Sequence, residues 1–213
     1  MASILIVGGS PRVAVDVVRF VSVAASGDTA IALAQRLQGS AEVDLLLGVD
    51  AHREAAAQRY SDRAGLEAEL RRWIASHPTG AVVMSAAVND YDVASVEAKR
   101  SGTSSVIAPT EKLPSGADEV VVRLRPATKV IDQLRAWGLR GPIIGFKFEA
   151  AGTVVASAQS LRARVSAELV VANSLCGSLQ ALVDAVTVHR YGDRTALLDA
   201  LAGRLRALLA AGG

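Results

Sequence analysis

The chain has 213 residues, 51% of them apolar but only 4% aromatic, so Ala, Val and Leu must fill a substantial core. Its 23 basic and 21 acidic residues leave a formal charge of +2, and no aromatic residues interleave with a basic stripe. That balance argues against a nucleic-acid binder, and no apolar run approaches the roughly 20 residues that span a bilayer.

The amino terminus enters a strand, Ile4–Val7, with no basic region before it, so it does not read as a signal peptide. Gly8-Gly9-Ser10-Pro11 closes this strand as a turn. Ser26–Leu37 reads as a helix with Ala30, Leu33, Ala34 and Leu37 on one face. Val43–Leu47 is a second strand, and Glu67–Ser76 a helix with Leu66, Leu70, Trp73 and Ile74 spaced for a buried stripe. Ala81–Ala87 is a third strand whose unbroken apolarity suits a parallel sheet covered on both faces.

The segment 93–126 is polar, broken by Gly102, Pro109, Pro114 and Gly116, with one alternating strand, Val120–Arg125. It reads as a flap or β-extension. Beyond it the pattern gives a helix at Thr128–Trp137, a strand at Pro142–Phe148, a helix at Val155–Val165 and a strand at Leu169–Ala172. Ala185–His189 reads as an edge strand, and Thr195–Leu209 as a closing helix with Leu198, Leu201, Leu205 and Leu208 inward. The expected architecture is α/β: a doubly wound, mostly parallel, Rossmann-like sheet in one domain over 1–213. Cys176 is the only cysteine, which points to a reducing cytoplasm; it is expected to be buried and inert.

Several familiar devices are missing: a G-x-x-x-x-G-K-[ST] loop, a G-x-G-x-x-G turn after the first strand and a G-x-S-x-G elbow. His52, His77 and His189 stand far apart without ligand-spaced neighbours, which argues against zinc. Four segments at strand ends or loops remain. Gly8-Gly9-Ser10 offers backbone N–H groups where nucleotide-binding sheets hold anions, or is only a tight turn. The run Met84-Ser-Ala-Ala-Val-Asn-Asp-Tyr91 ends a strand in small residues, which let a ligand approach the backbone, followed by a carboxylate. Asp90 there suits Mg²⁺ or nucleotide hydroxyls, or simply caps a turn. Lys112 lies in the flap. Lys147 interrupts a strand, so its charge must face solvent, an edge or a ligand pocket.

In this order, from about residue 4 to about residue 175, the segments resemble the phosphopantothenate–cysteine ligase family. That family's Gly-Gly-Thr turn is Gly8-Gly9-Ser10 here, and its Asp-Pro-Val-Arg-Tyr-Ile-Ser-Asn stretch is Asp16–Val23. Its Ser-Ser-Gly-Lys-Met-Gly helix start is Ala25–Ala30, and its Ala-Ala-Ala-Val-Ser/Ala-Asp-Tyr/Phe mark is Ser85–Tyr91. The flap's Lys-Ile is Lys112-Leu113, and the Pro-Lys helix start matches Pro126–Ile131 with Lys129 at the lysine. Phe-Lys-Leu-Glu-Thr is Phe146–Ala150, and Val-Val-Ala-Asn is Val170–Asn173. The Phe-Lys and Lys-x-x-Ser-Gly forms look more like the ATP-using branch than the CTP-using one.

The resemblance implies a ligase that activates a carboxylate with ATP or CTP as an acyl-nucleotide, then forms an amide with an amine such as cysteine. It implies that Asp90 serves Mg²⁺ and nucleotide, and that Lys112 closes over the triphosphate as a catalytic residue. Gly8, Gly9, Ser10, Ala86, Ala87, Phe146, Lys147 and Asn173 would form the nucleotide site. Arg19, Val23 and Asn89 would bind the acyl substrate, Arg19 from across a homodimer interface to which the flap would contribute contacts. Two departures stand out. The family's asparagine is Val23, which has no side-chain hydrogen bond to offer, and its lysine at the helix start is Asp28, which repels an anion there. The phosphopantothenate half of the site is thus altered, while the nucleotide half is largely kept. Altered acid or amine specificity and a non-catalytic, regulatory nucleotide-binding homologue both stay open; a dinucleotide enzyme fits least, for want of the glycine fingerprint.

Overall fold

The computed structural model describes residues 2–211, and an eight-stranded sheet forms its centre. Strand β1 (Ser3–Gly8) buries Ile4, Leu5, Ile6 and Val7, as a strand covered on both faces must. A small hairpin follows, β2 (Val13–Ala14) and β3 (Phe20–Val21), then α1 (Asp28–Leu37), β4 (Glu42–Gly48), β5 (Gln58–Tyr60), α2 (Arg63–Ser76) and β6 (Ala81–Met84). Strands β7 (Tyr91–Arg100), β8 (Thr103–Ile107) and β9 (Glu119–Pro126) make a separate antiparallel sheet with β7 in the middle. The remainder is α3 (Val130–Gln133), β10 (Ile143–Glu149), α4 (Val154–Val165), β11 (Leu169–Ser174), β12 (Gln180–Val183), β13 (Val188–Tyr191) and α5 (Arg194–Ala211).

The central sheet runs β13-β12-β11-β10-β6-β1-β4-β5, parallel from β11 to β5, with β12 and β13 antiparallel. The chain winds outward from β1 through β4 to β5, then crosses back to β6 on the other side of β1. Strand order therefore reverses between β1 and β6, the place where open α/β sheets leave a crevice beyond their carboxyl ends. Helices cover both faces. Leu66, Leu70, Ile74, Leu134 and Leu161 of α2, α4 and the segment around α3 pack on one; Leu33, Leu37, Leu198, Leu201 and Leu205 of α1 and α5 pack on the other. Gly8 makes the second contact possible, since a Cβ there would stand 2.5 Å from Ala30 Cβ. Gly9, at φ +75°, turns the chain where a Cβ would lie 2.8 Å from Gly48 N.

Several boundaries differ from the periodicity. Helix α2 starts at Arg63 because Asp62 caps it, its carboxylate accepting from Gly65 N at 2.8 Å; the first turn carries no apolar stripe to reveal it. Strand β6 ends at Met84 rather than Ala87: its pairing with β10 stops at Val83, and beyond Met84 only single bonds to β1 and its turn continue. The expected helix over Thr128–Trp137 is helical only at Val130–Gln133 and ends in turns closed by Gly138, at φ +99°. The edge strand lies at Val188–Tyr191, because Asp184 accepts from Val186 N and Thr187 N and makes Ala185–Thr187 a turn. Leu208 is half-buried, and Leu209 takes the inward place at the end of α5. Strands β5 and β12, of three and four residues, are too short to stand out in the sequence.

Candidate active site

A cavity of about 770 Å³ opens over the carboxyl ends of β6, β10 and β11 and the amino end of α1. One wall is the segment after β6. Ser85 Oγ donates to Val7 O at 2.7 Å and Ala87 N to Gly9 O at 2.9 Å, so this segment keeps its grip on β1 past the switch point. Ala86, Ala87, Asn89 and Asp90 line the cavity beside Gly9.

Arg63, the first residue of α2, holds that wall in place. Its Nη2 donates to Asn89 O at 2.5 Å and its Nη1 to Thr128 O at 2.7 Å, while Ala127 N donates to Asp90 O at 2.9 Å. Two loops distant in sequence are thereby tied together, and Lys129 Nζ comes to 3.3 Å from Asp90 Oδ1. That pair is open to solvent, so it contributes at most about 1 kcal/mol. Its use is to place a carboxylate and an ammonium at one cavity mouth.

On β10, Phe146 and Lys147 both line the cavity, from opposite faces of the strand. Lys147 Nζ lies 3.0 Å from Glu149 Oε1, and Ser157 Oγ donates to Glu149 Oε2 at 2.6 Å. The Ser157 hydroxyl first, and Lys147 second, hold the Glu149 carboxyl below the usual range. Asn173 at the end of β11 and Gln180 at the start of β12 face each other in register and also line the cavity. Five cations (Arg63, Lys129, Lys147, Arg164 and Arg194) face three carboxylates (Asp28, Asp90 and Glu149) around it, an electrostatic surplus that suits an anionic ligand.

The opposite end is the start of α1. Gly27 takes a left-handed conformation (φ 84°) before the helix, and Val23 to Ala30 line the cavity. Asp28 accepts from Ser26 Oγ at 2.6 Å and lies 2.6 Å from His52 Nε2; Ser26 first, then His52, lower its pKa. Arg194 of α5 donates to Thr29 Oγ1 at 2.7 Å, closing this end against the other helix of the same face.

Four of the residues singled out in the sequence lie outside the cavity lining. Gly8 serves the packing of α1 on β1. Ser10 is buried, and its hydroxyl accepts from Val23 N and Ser22 Oγ at 3.2 Å each, so it sets the position of Val23. Arg19 pairs with the buried carboxylate of Asp16. Lys112 is exposed in the loop between β8 and β9. These last two belong to one tied unit, because Asp16 accepts from Val18 N, Arg19 N and Leu113 N, the last at 2.9 Å. Burial favours protonation of Asp16, but those donors outweigh it and hold the carboxyl well below its ordinary range.

The sequence reading passed over Arg63, Glu149, Arg164, Gln180 and Arg194 as site residues. Arg63 was hidden by the unseen first turn of α2, although Asp62 is by itself a favourable N-cap residue. Gln180 was hidden with β12. Cys176 proves exposed rather than buried, with its thiol held down to about 7 chiefly by Ser178, whose Oγ is 3.1 Å away; it does not line the cavity. Among the described residues no group of three His, Cys, Asp or Glu could hold a metal by itself. No helix among them is long and apolar enough to cross a membrane.

The family model of the DNA/pantothenate metabolism flavoprotein C-terminal domain matches residues 1–199. The DNA/pantothenate metabolism flavoprotein from Streptococcus pneumoniae shares the fold at a TM-score of 0.79 and 18% identity, over 100% of both chains. The C-terminal domain of the coenzyme A biosynthesis bifunctional protein CoaBC does so at 0.73 and 19%, over 99% of this chain and 96% of that one. A Cab2 mutant in complex with phosphopantothenate-cysteine gives 0.75 and 13%, over 99% and 87%. No curated protein matches in sequence.

Proposed function

The chain belongs to the DNA/pantothenate metabolism flavoprotein C-terminal domain family, that of the phosphopantothenate–cysteine ligases of coenzyme A biosynthesis, and on that premise we propose that it is a nucleotide-dependent carboxylate–amine ligase. A carboxylate oxygen attacks the α-phosphorus of ATP or CTP, and the bond to pyrophosphate breaks. An amine then attacks the acyl carbon, forming the amide and releasing the nucleoside monophosphate. The observation that carries this reading is the cavity at the switch point, with its surplus of cations opposite a floor of small and amide side chains. Such a site acts by positioning and by offsetting charge, which is most of what acyl-nucleotide chemistry requires.

Asp90 suits Mg²⁺ as the single protein carboxylate of an ion that takes its other oxygens from phosphate and water. Bound there, the ion would offset the charge on the phosphate oxygens. Lys129 and Lys147, which line the same cavity, are assigned to those phosphates, and the small side chains of Ala86 and Ala87 suit a close approach of the ligand to their backbone. Arg19 and Lys112 share the tied unit of hairpin and flap, which we assign to closure over the bound substrates. The exposed Val120, Val122 and Leu124 on edge strand β9 support a homodimer built through the 91–126 extension. Within one 1–213 domain, the extension is then the flap and dimerisation element.

Specificity is where this chain leaves its family's pattern. Val23 offers no side-chain hydrogen bond, and Asp28 sets a carboxylate at the α1 amino end, so the acid or the amine is expected to differ from phosphopantothenate and cysteine. The retained Asp90 and Lys112 favour catalysis over a regulatory role. Pyrophosphate release from ATP and from CTP with Mg²⁺, first with phosphopantothenate and cysteine and then with other carboxylic acids, tests the proposal. Release that depends on an acid is expected; tight nucleotide binding without release for any acid would support the regulatory reading. Lys112→Ala should slow acyl-nucleotide formation at least tenfold while changing nucleotide affinity less than threefold. Equal loss of both, by single-turnover kinetics and calorimetry, removes the role assigned to Lys112.

A further inference from the structure

The loop between β4 and β5 presses on the amino end of α1. Arg59 on β5 holds its shape, with Nη2 donating to His52 O at 2.7 Å and Ala55 O at 2.8 Å, and Nη1 to Gly48 O at 3.3 Å. His52 N donates to Ser26 O at 3.1 Å, and a Cβ on Gly27 would stand 3.2 Å from Ala51 Cβ. The backbone of His52 is therefore fixed from both sides, more firmly than a merely solvated histidine requires. Its ring lies between two carboxylates: Nε2 is 2.6 Å from Asp28 Oδ1, and Nδ1 is 3.1 Å from Glu54 Oε1. A neutral imidazole carries one N–H and serves one of them, whereas the imidazolium serves both.

The ring also faces a second groove of about 640 Å³ between α1 and α5, where Arg36 and Arg194 stand beside Asp28 and Glu54. Those two cations are engaged elsewhere. Arg36 pairs with Asp199, and Arg194 donates to Thr29 and acts on Asp28 less than His52 does. Arg53, next in the chain, acts on Asp50. Asp28 lines the main cavity as well as this groove, so the charge on His52 is felt in both. We propose that His52 is a positioning residue of the α1 end: it fixes the Asp28 carboxylate at the cavity wall, and its proton sets the charge that an anionic ligand meets there. With the proton, the ring and its two carboxylates leave one negative charge; without it they leave two. Histidine changes charge between about pH 5 and 8, so this end opposes an anion more strongly as pH rises through that window. That an anionic group comes to the α1 end rests on the ligase reading above; the coupling of His52 to Asp28 does not.

Two measurements on the full chain test this. In a carbon-13 NMR titration from pH 5 to 8, the Asp28 carboxyl signal should move with the His52 ring. In His52→Gln, whose amide can still donate to Asp28 but carries no charge, that signal should stay still. An Asp28 signal that ignores the titration of His52 overturns the assignment. Calorimetry with inorganic pyrophosphate, the anion that the ligase reaction would release, reads the effect in the cavity. Pyrophosphate itself takes up protons in this range, so the comparison with His52→Gln carries the result. The affinity of the unaltered protein relative to His52→Gln should be about two to five times greater at pH 5.5 than at pH 8 at low salt, and nearly constant at 0.5 M salt. The pair is exposed, so the thermal midpoint of His52→Gln should stay within about 4 °C and the changed profile reports charge rather than folding. A ratio that stays constant at low salt, or is greater at pH 8, overturns the role of the His52 proton and leaves the ligase reading standing. Failure of pyrophosphate to bind either protein at any pH counts against the ligase reading, and removes the anion from the α1 end with it.

Discussion

At the strand-end wall of the cavity, the polar groups hold one another. Arg63 binds the carbonyls of Asn89 and Thr128, Lys129 meets Asp90, and Ser157 and Lys147 hold Glu149. At the α1 end, the lining from Val23 to Ala25 has no side-chain donor at all, and Asp28 is held by exposed groups, Ser26 and His52. The first region is built on backbone bonds between distant loops and tolerates little change. The second is a short stretch ahead of a helix, where a substitution changes what is recognised without disturbing the sheet. On the proposed function, activating chemistry and substrate choice are then carried by separable parts of the cavity.

The largest effect should come from the wall. Arg63→Met removes both bonds that tie the 85–90 segment to Thr128, so Asp90 and Lys129 lose their fixed placement. Acid-dependent pyrophosphate release should fall at least tenfold, and the protein should lose about 1–3 kcal/mol. In a chain of this length each kcal/mol lowers the thermal midpoint by about 2–4 °C, which calorimetry reads directly. A variant with full activity would mean the wall is not fixed by Arg63, and the contrast between the two ends would fail.

A change at the α1 end should act on affinity and leave the fold intact. Asp28→Lys replaces a repelling charge by an attracting one at the amino end of α1. Binding of an anionic ligand should tighten about three- to tenfold at low salt and much less at 0.5 M salt. The helix itself should lose only about 0.3–1 kcal/mol, because it gives up a favourable interaction with its dipole. Unchanged affinity at low salt would place the anionic ligand elsewhere in the cavity.

The smallest effect concerns the unit that carries Arg19 and Lys112. Asp16 has a depressed pKa in the folded chain, so its contribution is present above the ordinary carboxylate value of about 3.9 and is lost as pH falls towards the lower folded value. Amide exchange at Leu113, Val18 and Arg19 should therefore show constant protection between pH 7 and 5, after correction for intrinsic rates, and lose it only under stronger acid. Asp16→Asn should raise exchange at Leu113 at neutral pH while the β1 and β6 amides stay protected. Protection of Leu113 that survives this change would show the flap is held by its apolar contacts with Val96 and Ala98 instead.

The sheet was legible because Ile4–Val7, Ala81–Met84 and Leu169–Ala172 are unbroken apolar runs, which only a strand covered on both faces accommodates. The placing of Asp90 and Ala87 at a strand's carboxyl end followed from the break after the Ala81–Met84 run, whereas the switch point needed the strand order. Elements whose formation depends on a single contact were not legible. The first turn of α2 rests on the Asp62 cap, and the turn before β13 rests on Asp184. The contrast between Lys112 and Lys129 has the same origin: both lie in polar stretches, and only the bonds of Arg63 and Ala127 bring the second to Asp90. Lys147 could be read as an exception within a strand and Phe146 from the family resemblance, but Gln180 could not, since nothing in Leu179–Val183 announces that its amide oxygen is left unpaired.

The measurement that bears most directly on the ligase assignment follows oxygen. With a carboxylic acid labelled in both carboxylate oxygens with ¹⁸O, a nucleoside triphosphate, Mg²⁺ and an amine, acyl-nucleotide chemistry transfers one labelled oxygen to the phosphate of the nucleoside monophosphate. Mass spectrometry of the products should find that label in the monophosphate and the other oxygen in the amide. Label in inorganic phosphate, or a monophosphate carrying none, would contradict attack at the α-phosphorus and with it the function proposed for this chain.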